Sequence, residues 1–295
     1  MAPDPNPSET MSPLIARKTW RTVEPLHGMI YFAAESSTSY ARLGLKPEAG
    51  YFASRSAAMG AVGADTVIAT FYNFCPALVR SAIPSAWSAA SPATVLQARQ
   101  SAADAALQRM LGEATRSPEM ERAASLARRA AESASGRYEG RALFAAHAGL
   151  PWPEQPHLVV WHAQTLLREF RGDGHIMALV DHDLDPVEAL VIHEASGELP
   201  ETFLRDTRGW PDAAWDAGEE RLRQRGLVQE VGASDGGSAT RLTERGTALR
   251  QSIEDATDRL AMVPYRTLGE EGCAELRTLA RPFSRAVVEA AGMGR

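Results

Sequence analysis

Apolar residues recur at spacings of three and four along most of this chain and alternate in only one short stretch, so amphipathic helices dominate the expected structure. The clearest helix covers residues 91–112. There Val95, Ala98, Ala102, Ala105, Ala106 and Met110 form a stripe, and Pro92 sits in the first turn. Residues 118–135 repeat the pattern with Met120, Ala124, Leu126, Ala127 and Ala131. Upstream, residues 13–45 read as a pair of helices ended by Gly44 and Pro47, and residues 50–70 as a second helical region. A short apolar segment at 66–74 precedes a helix from Pro76 to Ile83, stopped by Pro84. Residues 141–150 form a short helix. Pro151, Pro153 and Pro156 then make a rigid connector.

Downstream, the spacing predicts a helix over 157–170, a break at Arg171-Gly172-Asp173-Gly174, and a resumed helix from His175 to Val180. Three further helices follow at 183–196, 198–206 and 210–225. Residues 227–231 and 239–242 alternate as strands around the tip Gly232-Ala233-Ser234-Asp235-Gly236-Gly237. A return helix at 247–261 carries Leu249, Ile253, Ala256 and Leu260 on one stripe, and a last helix covers 273–291. Helix, hairpin and return helix in this order are the plan of a winged helix-turn-helix. The expected fold is therefore mainly α: a helical N-terminal domain followed by a winged helix-turn-helix with a short antiparallel β-hairpin. The expected division is a disordered tail at 1–12, a helical domain at 13–182, a winged helix at 183–262, and a linker with C-terminal helix at 263–295.

Charge and cysteine content narrow the function. The 295 residues carry a net charge of -6, which gives no general attraction to phosphate backbones or anionic membranes. Only two residues are Lys, Lys18 and Lys46, so nearly all positive charge is Arg. The two cysteines, Cys75 and Cys273, are far apart and outside any C-x-x-C, which fits reduced, buried thiols in the cytoplasm. No apolar run is long enough to span a membrane, and the acidic, Pro-containing start does not read as a secretory signal. A cytoplasmic protein without a membrane partner is expected.

Several motifs carry a family likeness. Gly226-Leu227-Val228, the wing and Leu242-Thr243-Glu244-Arg245-Gly246 resemble the winged helix of MarR-type regulators. Gly50-Tyr51-Phe52-Ala53-Ser54-Arg55, Phe71-Tyr72-Asn73-Phe74, the run from Leu167 to His175, and Arg208-Gly209-Trp210 resemble an actinobacterial family of winged-helix proteins. The resemblance implies an architecture and a compartment, not a reaction. It also marks a departure. MarR-type wings carry an Arg at the tip that reaches the minor groove, whereas Asp235-Gly236-Gly237 stands here. The recognition-like helix opens on Asp212, Asp216, Glu219 and Glu220, with Arg221, Arg223 and Arg225 late and Arg241 in the wing. Those four arginines are what the chain offers to DNA, where binding needs cations on phosphates and polar groups on base edges.

The strongest chemical constellation runs from His162 to His175. His162, Thr165 and Glu169 share one helix face, Arg168 and Arg171 flank it, and Asp173 and His175 follow. Such a set can hold an anionic ligand through Arg, with His as acid or base. It can also hold a divalent ion through His162, Glu169 and His175. The plainer alternative is that Asp173 caps a helix and the charges are intramolecular ion pairs. A second cluster, Tyr51, Phe52, Arg55, Phe71, Tyr72, Asn73 and Phe74, suits either a core or a small-molecule pocket. No phosphate-binding loop and no H-E-x-x-H occurs. No cofactor and no metal are expected.

Small-molecule binding, with or without catalysis, is the leading expectation. Its residues are Tyr51, Arg55, Tyr72, Asn73, His162, Arg168, Glu169, Arg171, Asp173 and His175, with the winged helix as a packing or homodimerisation module. The alternative is a MarR-like, ligand-responsive regulator of transcription, and a purely structural interaction protein comes third.

Overall fold

The computed structural model describes residues 11–198, 202–232 and 238–292. Nearly all regular structure is helical. In chain order the helices are α1 (Pro13–Gly28), α2 (Ala34–Arg42), α3 (Pro47–Ser56), α4 (Ala64–Phe71), α5 (Pro76–Ala82), α6 (Ala86–Ala89), α7 (Pro92–Leu111) and α8 (Pro118–Ser133). They continue as α9 (Ala142–Ala148), α10 (Pro156–Asp181), α11 (Pro186–Ala195), α12 (Phe203–Arg208) and α13 (Asp212–Gln224). Strands β1 (Val228–Gly232) and β2 (Ser238–Leu242) follow, then α14 (Glu244–Leu260), α15 (Val263–Arg266) and α16 (Gly269–Ala291). The mainly α architecture with one hairpin is that expected from the periodicity. The wing tip Asp235-Gly236-Gly237, most of the N-terminal tail, and residues 199–201 of the helix expected at 198–206 lie outside the described residues.

The chain forms two compact units. Unit 1 is Met1–Val62, Ala82–Gly174 and Asp258–Arg295; unit 2 is Gly63–Ser81 and His175–Thr257. In unit 1, α1 packs along α16, α7 packs on α2 and α3, and α8 packs on α15 and α16. From the stripe on α7, Ala102 and Ala106 join a core that includes Met120, Phe144, Phe170 and Leu276, and Leu107 enters it where Ala105 is exposed. Both α7 and α8 pack on α16 and bring buried alanines to it, Ala102, Ala103 and Ala106 from the first and Ala123, Ala127 and Ala130 from the second, and small side chains let helix axes approach closely. Ser91 and Ser117 cap α7 and α8 by accepting from the backbone N–H groups of Thr94 and Met120.

Unit 2 is the winged helix. Asp185 and Glu188 form a capping box at the start of α11, which packs on α13 and β2. The strands pair antiparallel, with Val228 opposite Leu242 and Gly232 opposite Ser238. Trp215, Leu222, Leu190, Leu227 and Ile253 fill the core. The Leu242–Gly246 motif has a local cause. Thr243 Oγ1 accepts from the Gly246 N–H at 3.0 Å, capping α14, and a β-carbon at Gly246 would overlap the Leu227 carbonyl oxygen. The segment 63–81, which the sequence division placed in the helical domain, belongs to this unit. The Tyr72 hydroxyl donates to the Leu184 carbonyl, Trp210 Nε1 to the Asn73 carbonyl, and the Cys75 N–H to the Arg208 carbonyl.

One sequence expectation is corrected. The break at Arg171-Gly172-Asp173-Gly174 does not occur, and α10 runs through it to Asp181. Neither glycine has positive φ. Gly174 serves packing instead: a β-carbon there would lie 3.1 Å from an Arg141 guanidinium nitrogen and 3.2 Å from Leu260 Cβ. The bare backbone lets Arg141 reach over the helix and donate to the Phe170 carbonyl.

Candidate functional site

The spine of the site is the buried face of α10 in unit 1. His162, Thr165 and Glu169 lie on it, all buried, as their spacing requires. Glu169 stands between two guanidiniums, Arg55 from α3 at 3.4 Å and its neighbour Arg168 at 3.0 Å. Arg55 also donates to the Tyr51 hydroxyl at 3.0 Å. Arg168 continues the chain of charges to Glu24 on α1 at 3.0 Å, and Gln164 donates to the same carboxylate at 3.0 Å. Burial alone pushes the Glu169 carboxyl up, but Arg55 and Arg168 outweigh it and hold the group at about 2. This alternation, Arg55–Glu169–Arg168–Glu24, balances two positive against two negative charges.

A third guanidinium is left over. Arg99 on α7 is 2% exposed. Its polar contact is with His27 Nε2 at 3.3 Å, and its guanidinium lies 5.1 Å from the Trp161 ring centroid. Among the described residues no carboxylate lies within ion-pair distance of it. A buried charge without a carboxylate partner is costly. Two buried histidines face the same charge. Burial first, then Arg99, lowers His147 to about 3 and His162 to about 4, so both imidazoles are neutral at pH 7.

Arg99 borders a cavity of about 240 Å³. Its lining mixes apolar residues, Leu96, Leu150 and Pro151, with polar ones, Gln97, Gln100, His147, His162 and Thr165. Three of its lining residues carry a buried nitrogen with no hydrogen-bond partner among the described residues: Arg99 Nε, Trp161 Nε1 and His162 Nε2. A second cavity of about 200 Å³ is lined by Tyr31, Tyr40, Tyr51, Ser36 and Ser54. Tyr31 and Tyr51 also touch Arg55, whose guanidinium lies 5.9 Å and 5.6 Å from their ring centroids.

The structure sorts the residues expected to form a site. Tyr51, Arg55, Arg168 and Glu169 come together, with His162 two turns earlier on the same helix face. Arg171 turns instead to Asp258 at 2.7 Å, a carboxylate it shares with Arg17. Asp173 accepts from the Phe144 N–H at 2.9 Å. Burial raises its carboxyl to about 7 against that hydrogen bond. Tyr72, Asn73 and His175 belong to unit 2, where His175 Nδ1 lies 2.9 Å from Thr257 Oγ1. The trio His162, Glu169 and His175 is thus not assembled as a metal site, and among the described residues no group of three or more His, Cys, Asp or Glu is placed to hold a metal. Sequence reasoning missed Arg99, Glu24, His27 and His147. The signal for Arg99 was present: it sits between Val95 and Ala102 on the apolar stripe of α7.

In unit 2 three of the four arginines offered to DNA are engaged by carboxylates. Arg221 bridges Asp185 and Glu188, Arg225 pairs with Glu188 at 3.0 Å, and Arg223 pairs with Glu220. Arg241 donates to the Thr240 carbonyl at 3.0 Å. At the start of α13, Asp212 and Asp216 are both held by Arg205 at 2.9 Å. No helix of the described residues is long and apolar enough to cross a membrane.

Comparison with curated proteins and with solved structures gives no match. The sequence profile of a helix-turn-helix family, by contrast, matches residues 16–294, nearly the whole chain including both units. With the hairpin, the capped α14 and the packing of α11 on α13 already in view, this chain belongs to that helix-turn-helix family.

Proposed function

We propose that this helix-turn-helix protein binds a small molecule in unit 1, in the cavity walled by Arg99, Trp161 and His162. The observation that carries the proposal is Arg99 itself, a buried guanidinium without a carboxylate beside a cavity with apolar lining residues and unpartnered nitrogens. The charge chain through Arg55, Glu169, Arg168 and Glu24 serves as the rigid support of that wall. Unit 2 acts as a packing or homodimerisation module, and the protein works in the cytoplasm. Native mass spectrometry of protein purified from its own host tests this. An organic molecule retained by the wild type and lost from Ala93→Phe, which adds bulk at an exposed position of the cavity lining, supports the proposal. Equal retention by both proteins, or none by either, overturns it.

A second reading is a MarR-like, ligand-responsive regulator of transcription, in which the same ligand controls DNA binding; the family match supports its helix-turn-helix part. Its difficulty is electrostatic, because Arg221, Arg223 and Arg225 are neutralised within unit 2. A mobility-shift assay on the protein's own upstream region separates the two readings.

A further inference from the structure

We infer that the ligand of the Arg99 cavity is a small organic monocarboxylate with an apolar body, its carboxylate held by Arg99 and its body lying between Trp161 and Leu96. The inference rests on the small-molecule reading above and adds the chemical class. Four observations carry it.

The first is charge. Arg55 and Arg168 are matched by Glu169 and Glu24, which leaves the surplus of a single positive charge on Arg99. A monoanion restores neutrality, whereas a phosphate dianion leaves one negative charge buried. An amine adds a second unpaired cation beside the first.

The second is donor geometry. Arg99 contacts His27 through one terminal nitrogen, while its Nε has no partner among the described residues. Nε and a terminal nitrogen are the fork that meets both oxygens of a carboxylate. Trp161, another lining residue, holds a further buried donor without a partner, Nε1.

The third is the rest of the lining, where Leu96, one turn from Arg99 on α7, and Leu150 and Pro151 give the ligand body apolar contact. The fourth is size. The cavity holds about 240 Å³. An apolar cavity of roughly 150 Å³ accommodates benzene. The space therefore suits an aryl acid or a short-chain acid, and is below the roughly 300 Å³ at which drug-sized ligand sites begin.

The test uses the full chain and isothermal titration with matched probes: benzoate against benzamide and benzylamine, and hexanoate against hexanamide. At least one acid is expected to bind about ten-fold or more tightly than its amide, with benzylamine weakest. Arg99→Gln should erase the preference for acid over amide, and Arg99→Lys should keep part of it. If Arg99→Gln does not fold, the wild-type ratio and Arg99→Lys still decide. The inference is overturned if the amides bind as well as the acids. It is also overturned if neither acid saturates by about 50 mM, above the Kd of roughly 10 mM that weak ligand efficiency gives a molecule of this size. Ala93→Phe tells the two levels apart. An amide or amine that binds and is blocked by Ala93→Phe leaves the site standing and removes only the carboxylate. Probes that bind Ala93→Phe as they bind the wild type remove the site itself.

Discussion

Arg99 on α7 presents a guanidinium nitrogen to His27 Nε2 on α1 at 3.3 Å, both side chains being essentially out of water. The guanidinium can only donate, so His27 accepts through Nε2 and carries its proton on Nδ1, which lies 3.6 Å from Glu24. Burial, ahead of Arg99 and Arg168, keeps His27 below its ordinary range despite Glu24. A neutral imidazole thus separates Arg99 from the carboxylate that would otherwise pair with it. The arrangement preserves an unspent positive charge at the cavity wall.

Replacing Arg99 should therefore cost function rather than stability. Arg99→Met keeps the aliphatic volume and removes a buried charge. Its unfolding free energy should stay within about 1 kcal/mol of the wild type, or rise, because uncompensated buried charge is unfavourable. Binding of any retained ligand should be lost. Urea unfolding measures the first quantity and native mass spectrometry the second. A loss of several kcal/mol would make Arg99 a structural tie to His27 and Trp161 instead.

The acid dependence of stability contains two opposed contributions in unit 1. His162 has a folded pKa lowered from 6.5 to about 4, so its contribution is present above 6.5 and is lost as pH falls toward 4. Between pH 7 and pH 5 that loss is about 2 kcal/mol. Asp173 has a folded pKa raised from 3.8 to about 7, so its contribution is present at low pH and is lost as pH rises through 7. Over the same interval it changes stability by about 2 kcal/mol in the other direction. His162→Gln should consequently gain relative to the wild type on going from pH 7 to pH 5, and Asp173→Asn should lose. Chemical denaturation at the two pH values checks both signs. Parallel profiles for the three proteins would show that neither side chain titrates as its burial implies.

The contrast between His162 and Asp173 also shows what the sequence made legible. Helical periodicity placed His162, Thr165 and Glu169 on one face of α10, because a 3.6-residue repeat fixes side-chain direction wherever the helix is regular. The same reasoning failed at Asp173. Two glycines in four residues read as a turn, while Gly174 is a contact point for Arg141 and Leu260, partners remote in sequence. Arg99 is visible in one dimension as a charge between Val95 and Ala102 on the apolar stripe of α7. Its lack of a carboxylate depends on three-dimensional neighbours that periodicity does not report. Tyr72 and Asn73 look like pocket residues in one dimension, yet they fasten the 63–81 segment within unit 2 through Leu184 and Trp210.

In that unit Gly246 is the most restrictive position. Its β-carbon would collide with the backbone oxygen of Leu227, and neither α14 nor the start of β1 can yield without breaking the Thr243 cap. Gly246→Ala should destabilise unit 2 by on the order of 3 kcal/mol or more, the scale of severe overpacking. Hydrogen exchange should show lost protection in β1, β2 and the first turn of α14. Wild-type protection in this variant would mean that the strand start shifts cheaply.

The charges of unit 2 give the last expectation. Glu188 is buried and holds both Arg221 and Arg225, while Asp185 holds Arg221 from the other side. A phosphate could recruit these arginines only by displacing two carboxylates. The wild type should therefore give no nanomolar, sequence-dependent shift with duplex from its own upstream region at physiological salt. Asp185→Asn combined with Glu188→Gln removes both negative charges and keeps side chains able to cap α11. The released Arg221 and Arg225 should then strengthen non-specific duplex binding and steepen its dependence on salt. Each new phosphate contact adds about -0.9 to the log–log slope, so two arginines add about -2. A wild-type shift that is tight and sequence-dependent would reverse the order of the two proposed functions. It would require unit 2 to rearrange its ion pairs on meeting DNA, and Arg221→Ala and Arg225→Ala would then each flatten the salt slope by about one unit.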